Sequence, residues 1–233
     1  MPGLKKWSSG TSLVLLLLAA APVAARPRIL TVRSVIKRME HALSRLQDFS
    51  ALYRLSNGTY SSSGKIFYMK PFFLKLESMT DDYQLVTNGK TLWIMVPRHG
   101  IVAEQELIKS DKKFNMLLNS TGKSLRHLRR DYSFSFSPGG KTNPTFHIFD
   151  LKPRVTKIGF RTIRLWVDKK TYLITRVESE TVNGRKVSIA FTDIKQNSTP
   201  ALAEELFHFD MPDKNIQTIK NTILPAAYMN KRR

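Results

Sequence analysis

The chain has 233 residues, no cysteine, and 38 Lys and Arg against 18 Asp and Glu, giving a formal net charge of +20. The lack of cysteine excludes a disulfide-stapled fold, a thiol nucleophile and lipid attachment at a processed N-terminal cysteine. A basic balance of this size draws the protein to anionic surfaces, either nucleic acid or anionic phospholipid headgroups.

The N-terminus decides between those two. Lys5 and Lys6 form a positive flank, Leu13 to Ala21 is a short apolar core, and Val23-Ala24-Ala25 offers small residues ahead of Arg26. This is the pattern of a secretion signal over residues 1–25. The apolar run is too short to span a bilayer comfortably. Export argues against nucleic acid and favours an anionic membrane surface. Residues 26–233 then form a single domain of roughly 208 residues, enough for one all-β or α+β core. A secreted domain without disulfides points to the bacterial periplasm, where core packing alone holds the fold.

From Val32 to Gln47 the spacing predicts a helix. Val32, Val35, Ile36, Met39, Ala42, Leu43 and Leu46 make one stripe, and Arg33, Lys37, Arg38, Glu40 and Arg45 lie mostly opposite. Thr31 or Ser34 caps it. Asp48 to Leu55 reads as a first strand, with Phe49, Ala51 and Tyr53 on one face. A polar turn from Asn57-Gly58 leads to a second strand, Gly64 to Lys70. Pro71 lacks a ladder donor, so the chain bends or breaks there before Phe72 to Ser78 continues. Gln84 to Thr87 and Thr91 to Val96 flank Asn88-Gly89, a hairpin signal. Gly100 turns the chain into Ile101 to Leu107.

Residues 108–130 change character. A helix starting at Ser110 or Asp111 would carry Phe114, Met116, Leu117 and Leu118, and Thr121-Gly122 breaks it. Ser124 to Arg130 reads as a further turn. The insertion is basic with an apolar centre and is placed to cover the mouth of a curved sheet. Asp131 to Ser137 then alternates Tyr132, Phe134 and Phe136 with serines. Strands follow at Thr145 to Leu151, Ile158 to Asp168 and Tyr172 to Glu180. Asn183-Gly184 turns into Arg185 to Ile194, with Val187, Ile189 and Phe191 on one face. Phe207 and Phe209, before Met211-Pro212, are expected to close the sheet. The tail after Asp213 reads as helical or loose. The total is about eleven antiparallel strands with no repeat.

Four segments carry a family resemblance. They are the amphipathic helix with Asp48-Phe49-Ser50-Ala51; Gly64-Lys65-Ile66-Phe67-Tyr68-Met69-Lys70-Pro71; Leu85-Val86-Thr87-Asn88-Gly89-Lys90-Thr91-Leu92-Trp93 with Pro97; and Phe207-His208-Phe209-Asp210-Met211-Pro212. In order and spacing the chain resembles the outer-membrane lipoprotein carrier protein family, LolA. The resemblance implies an unclosed β-half-barrel with a helical lid over an apolar concave face. It implies a periplasmic carrier of acylated lipoproteins, loaded by an inner-membrane transporter and unloaded to an outer-membrane acceptor. Members often carry arginine where Lys70 stands, at the barrel rim, in contact with the lid. Lysine offers one compact ammonium in place of a planar fork.

Alternation gives a concave-face set for lipid: Ile66, Tyr68, Leu74, Leu76, Phe134, Phe136, Ile163, Leu165 and Val167. Phe67, Met69 and Phe73 are equally apolar, so the parity around Pro71 stays open. Met39, Leu43, Met116 and Leu117 are the lid residues, and methionine suits a surface that repacks around varied ligands. His41, His99, His127, His147 and His208 are scattered, with no H-E-x-x-H spacing and no G-x-S-x-G elbow. No catalytic residue, metal site or cofactor is expected, and the protein is expected to act as a monomer. A carrier or sensor of free lipid or glycolipid on the same fold is the alternative.

Overall fold

A computed structural model describes residues 29–107, 122–155, 160–211 and 216–220. It contains helix α1 (Val32–Arg45), strands β1 (Asp48–Ser56), β2 (Ser61–Met69), β3 (Phe73–Ser78), β4 (Gln84–Thr87), β5 (Thr91–Val96) and β6 (Ile101–Glu106), and helix α2 (Gly122–Asp131). Strands β7 (Tyr132–Phe136), β8 (Phe146–Pro153), β9 (Phe160–Asp168), β10 (Ile174–Thr181), β11 (Lys186–Gln196) and β12 (Gln217–Lys220) follow. All twelve of these strands belong to one open sheet, in the order β12-β6-β5-β4-β3-β2-β1-β11-β10-β9-β8-β7. This is an unclosed half-barrel, mainly β. Its edges are β12 and β7.

Helix α1 begins where Thr31 and Ser34 cap each other. The Ser34 N–H donates to Thr31 Oγ1, and the Thr31 N–H donates to Ser34 Oγ, both at 3.1 Å. Its apolar stripe buries Val35, Ile36 and Met39. They pack on Tyr132, Phe149, Leu151, Ile163, Leu165 and Val167 of β7–β9, together with Leu125 of α2. The helix-covered side is the inner face of the sheet.

Strand registers carry that face across the whole sheet. Tyr68 stands opposite Phe49 on one side and Leu74 on the other, and Ile66 stands opposite Ala51 and Leu76. Leu76 meets Leu85, Leu85 meets Ile94, and Ile94 meets Ala103. In the other direction Tyr53 meets Phe191, Ile189 meets Val177, and Val177 meets Leu165. Leu165 meets Phe149, which meets Phe136. Because strand side chains alternate with period two, these residues share one face.

The same registers settle the parity around Pro71. Phe67, Met69 and Phe73 lie on the outer face, opposite in orientation to Ile66, Tyr68 and Leu74. Phe73 is apolar on that face because the chain covers it there. Residues 204–207 form a 3-10 turn that lays Phe207 against Phe73, ring centroids 5.5 Å apart, and Phe209 stacks on Trp93 at 5.6 Å. Val86 and Val102, both outward by register, are fully buried.

Three expectations from the sequence are corrected here. Phe207 and Phe209 do not close the sheet; they cross its outer face as a strap. The chain beyond the strap supplies β12, which pairs in parallel with β6, where the sequence suggests a helical or loose tail. A strand of four residues has too little alternation to be read, and its partner lies more than a hundred positions away. Ser124 to Arg130 is not a turn but part of α2. With only Leu125 and Leu128 apolar, its periodicity is too short to announce a helix, and packing on α1 supplies the reason for it. The helix expected after Ser110 lies outside the described residues.

Candidate functional site: an apolar inner face under a tethered helix

All nine residues of the concave-face set, Ile66, Tyr68, Leu74, Leu76, Phe134, Phe136, Ile163, Leu165 and Val167, project from the inner face. They divide into two zones. Under α1 and α2 the face is filled: Ile163, Leu165 and Val167 are buried, and Phe134 and Phe136 pack beside them. Of the residues expected in the lid, Met39 is fully buried here and Leu43 packs against the same cluster. Met116 and Leu117 lie outside the described residues.

The second zone spans β1–β6 with β11. Ala51, Tyr53 and Ile66 form its centre, flanked by half-buried Phe49, Leu55, Leu74, Leu76, Phe191 and Ile194. Tyr83, Val96 and Ala103 extend it toward β6, with Ile94 and Ile101 half-buried beside them. Leu55, Ile94, Ile189 and Phe191 are absent from the set read by alternation. The alternation of Val187, Ile189 and Phe191 with Ser188, Ala190 and Thr192 is visible in the sequence, and the registers turn the apolar side inward.

A polar cluster bounds this zone between β1, β2, β3 and β4. Tyr53 Oη lies 3.2 Å from Tyr83 Oη, and Ser62 Oγ lies 3.1 Å from Ser78 Oγ. Tyr60 donates to Asp81 Oδ2 at 2.8 Å. Burial, reinforced by that bond to Asp81, pushes the Tyr60 phenol up to about 12, and burial also raises Tyr83. Both phenols stay neutral at physiological pH; Tyr60 donates to Asp81, while Tyr83 accepts from Ser62 and shares a hydrogen bond with Tyr53. Gly64 lies in the same region because β3 runs against it: a Cβ there would sit 1.9 Å from the Glu77 carbonyl oxygen.

The end of α1 is tied to the sheet from both sides. Lys70 Nζ donates to the Ser44 carbonyl at 2.7 Å, and the Lys70 N–H donates to the Gln47 carbonyl at 2.8 Å. From the β11 end, Asn197 Oδ1 accepts from the Gln47 N–H at 2.8 Å. Midway along α1, Arg38 bonds the Tyr172 hydroxyl. Tyr172 in turn stacks on the buried imidazole of His147, centroids 6.0 Å apart. Burial, with Lys169 and Arg38 nearby, pulls the His147 pKa below the ordinary 6.5.

Chemically the inner face offers apolar surface against which apolar groups can be covered. Among the described residues no group of three or more His, Asp or Glu is placed to hold a metal ion. No helix among them is long and apolar enough to cross a membrane.

An open twelve-stranded half-barrel with an apolar inner face and a helix laid across it defines a class of carrier and binding folds. The sequence model described as outer membrane lipoprotein carrier protein LolA matches residues 50–210, and the chain belongs to that family. The members of this family are carriers, not enzymes. No curated protein matches the chain. Among solved structures it is similar to an uncharacterised conserved protein from Thermus thermophilus, 12% identical, covering 81% of this chain and 98% of that one with a TM-score of 0.50. It is also similar to a LolA superfamily protein from Nitrosomonas europaea (10% identical, 77% and 98% covered, TM-score 0.37). A further likeness is to the lipoprotein LppX from Mycobacterium tuberculosis (8% identical, 72% and 97% covered, TM-score 0.45). The Thermus likeness supports the fold.

Proposed function

We propose that the protein is a periplasmic carrier that shields the acyl chains of lipoproteins on its inner face and shuttles them from the inner to the outer membrane. The observation that carries this reading is the half-buried apolar zone around Ala51, Tyr53 and Ile66, continuous with the surface that α1 covers. Each CH₂ removed from water is worth about 0.8 kcal/mol, so one long acyl chain represents on the order of 10 kcal/mol. A free lipoprotein cannot leave its membrane against that cost. A carrier must offset most of it and still release the cargo. A broad, shallow apolar face beside a helix whose C-terminal end is tied to the sheet by exposed hydrogen bonds meets both demands; a deep rigid pocket meets only the first. The partners are an inner-membrane lipoprotein-releasing transporter and an outer-membrane acceptor.

The test is release from cells stripped of their outer membrane, incubated with and without the secreted form of the protein. Native mass spectrometry of the supernatant should find a one-to-one complex with an acylated lipoprotein. A complex holding only free lipid would replace lipoprotein by free lipid as the cargo. Empty protein would refute the carrier reading.

A further inference from the structure

Five arginines rim a single crevice of about 520 Å³ at the β7 edge of the sheet: Arg33 from α1, Arg126, Arg129 and Arg130 from α2, and Arg154 after β8. They come from three separate stretches of chain, so no run of basic sequence accounts for the cluster. Two carboxylates answer them. Glu40 pairs with Arg129 at 3.1 Å and Asp131 with Arg130 at 2.9 Å. Arg33, Arg126 and Arg154 have no ion pair among the described residues. All five arginines are exposed, so they are not kept there by burial or packing. The floor is apolar and aromatic, formed by half-buried Val32 and Phe134 with the buried Ile36 and Tyr132 beside them.

We propose that this crevice is a docking site for an anionic bilayer, seating lipid phosphates on the arginine rim and holding the end of the half-barrel where α1 begins against the membrane. The chemistry fits in three respects. Guanidinium forks match phosphate oxygens two bonds at a time, which an ammonium does not. Exposed cations beside a charged membrane add up, each contributing a several-fold gain in binding. An aromatic and aliphatic floor between the cations suits the interfacial depth, where headgroup and first methylenes meet. An acidic protein partner would satisfy the charge but gives no reason for that floor. Docking in this way needs no lipoprotein cargo, so it goes beyond the carrier reading and stands or falls separately from it.

The experiment is co-sedimentation of the full secreted chain with vesicles of phosphatidylcholine, alone or with phosphatidylglycerol, at low and physiological salt. Binding is expected only with phosphatidylglycerol, weakening as salt rises. The variant Arg33→Gln/Arg126→Gln/Arg154→Gln should lose about fivefold per arginine, roughly a hundredfold in all. Its circular dichroism should match the parent. The variant Arg185→Gln/Lys186→Gln/Lys195→Gln removes the same charge from exposed positions on β11 and the turn before it, and should bind nearly as the parent does. Equal losses in the two variants would reduce the effect to net charge and overturn the proposal. Indifference to vesicle composition would hand the crevice to an acidic protein and also overturn it. So would one-to-one binding of monomeric dihexanoyl-phosphatidylglycerol as tight as vesicle binding, which would make the crevice a pocket for a single lipid.

Discussion

The ammonium of Lys70 donates a 2.7 Å hydrogen bond to the carbonyl oxygen of Ser44, joining the end of β2 to the last turn of α1. That carbonyl is one of the four a helix end leaves unsatisfied, and a cation there also meets the negative end of the helix dipole. The bond lies at the surface, so it is worth about 1 kcal/mol, a helix-positioning contact more than a pillar of the fold.

Lys70→Ala should therefore lower global stability by about 1 kcal/mol or less. It should speed amide exchange in the last turn of α1 and change the rate of acyl loading or release. Lys70→Arg should restore the contact and slow exchange there. Hydrogen exchange by mass spectrometry reads the helix and a lipoprotein transfer assay reads the function. Unchanged transfer in Lys70→Ala would remove Lys70 from the mechanism.

Gly64 is required by the approach of β3. A Cβ at this position would stand 1.9 Å from the Glu77 carbonyl oxygen, so an alanine forces the β2–β3 ladder apart where Gly64 pairs with Ser78. Gly64→Ala should cost about 3 kcal/mol, read as a lower denaturant midpoint. A midpoint within error of the parent would show that the two strands separate freely.

The strap should be energetically central. Phe207 is 2% exposed and packs on Phe73, so Phe207→Ala is expected to cost about 3–5 kcal/mol. The neighbouring Phe209 stacks on Trp93, so the same change should red-shift Trp93 emission in a background where Trp93 is the lone tryptophan. An unshifted spectrum would mean the strap stays seated without its anchor.

His147 makes stability pH-dependent. Its pKa is lowered in the folded protein by burial and by Lys169 and Arg38, against 6.5 when unfolded. Below 6.5 the unfolded chain binds more protons than the native one, so stability falls as pH drops toward the folded pKa and is level above 6.5 as far as this group is concerned. Phe136 and Tyr172 flank the ring and offer no carboxylate to reverse the sign. His147→Phe should flatten the stability profile between about pH 7 and 5. An equally steep profile in the variant would assign the acid sensitivity elsewhere.

How much of this was legible depends on where each signal lives. The Asn88-Gly89 and Asn183-Gly184 turns fixed two hairpins, because their backbone demands are local. The α1 stripe and the Thr31–Ser34 cap were equally local. The nine residues read by alternation do share a face, since period two survives any long-range pairing. Which apolar parity turned inward around Pro71 was not legible, because Phe67, Met69 and Phe73 on the outer face flank the bend as closely as Ile66, Tyr68 and Leu74 on the inner one, and the strap that covers Phe73 lies far away in the chain. Strand β12 was hidden by its brevity and its distant parallel partner. The arginine crevice was visible only as net charge: Arg33, Arg126 and Arg154 meet through the fold, and no spacing in the chain announces it.

The measurement that tests the central claim most directly is site-specific photo-crosslinking during lipoprotein transfer. A benzophenone amino acid would replace Leu76 or Ile189 on the inner face, and Leu52, which points outward and is 38% exposed. The carrier account predicts adducts on the acyl chains of a lipoprotein from Leu76 and Ile189 and none from Leu52. Adducts from Leu52 alone, or from no position while transfer proceeds, would contradict it.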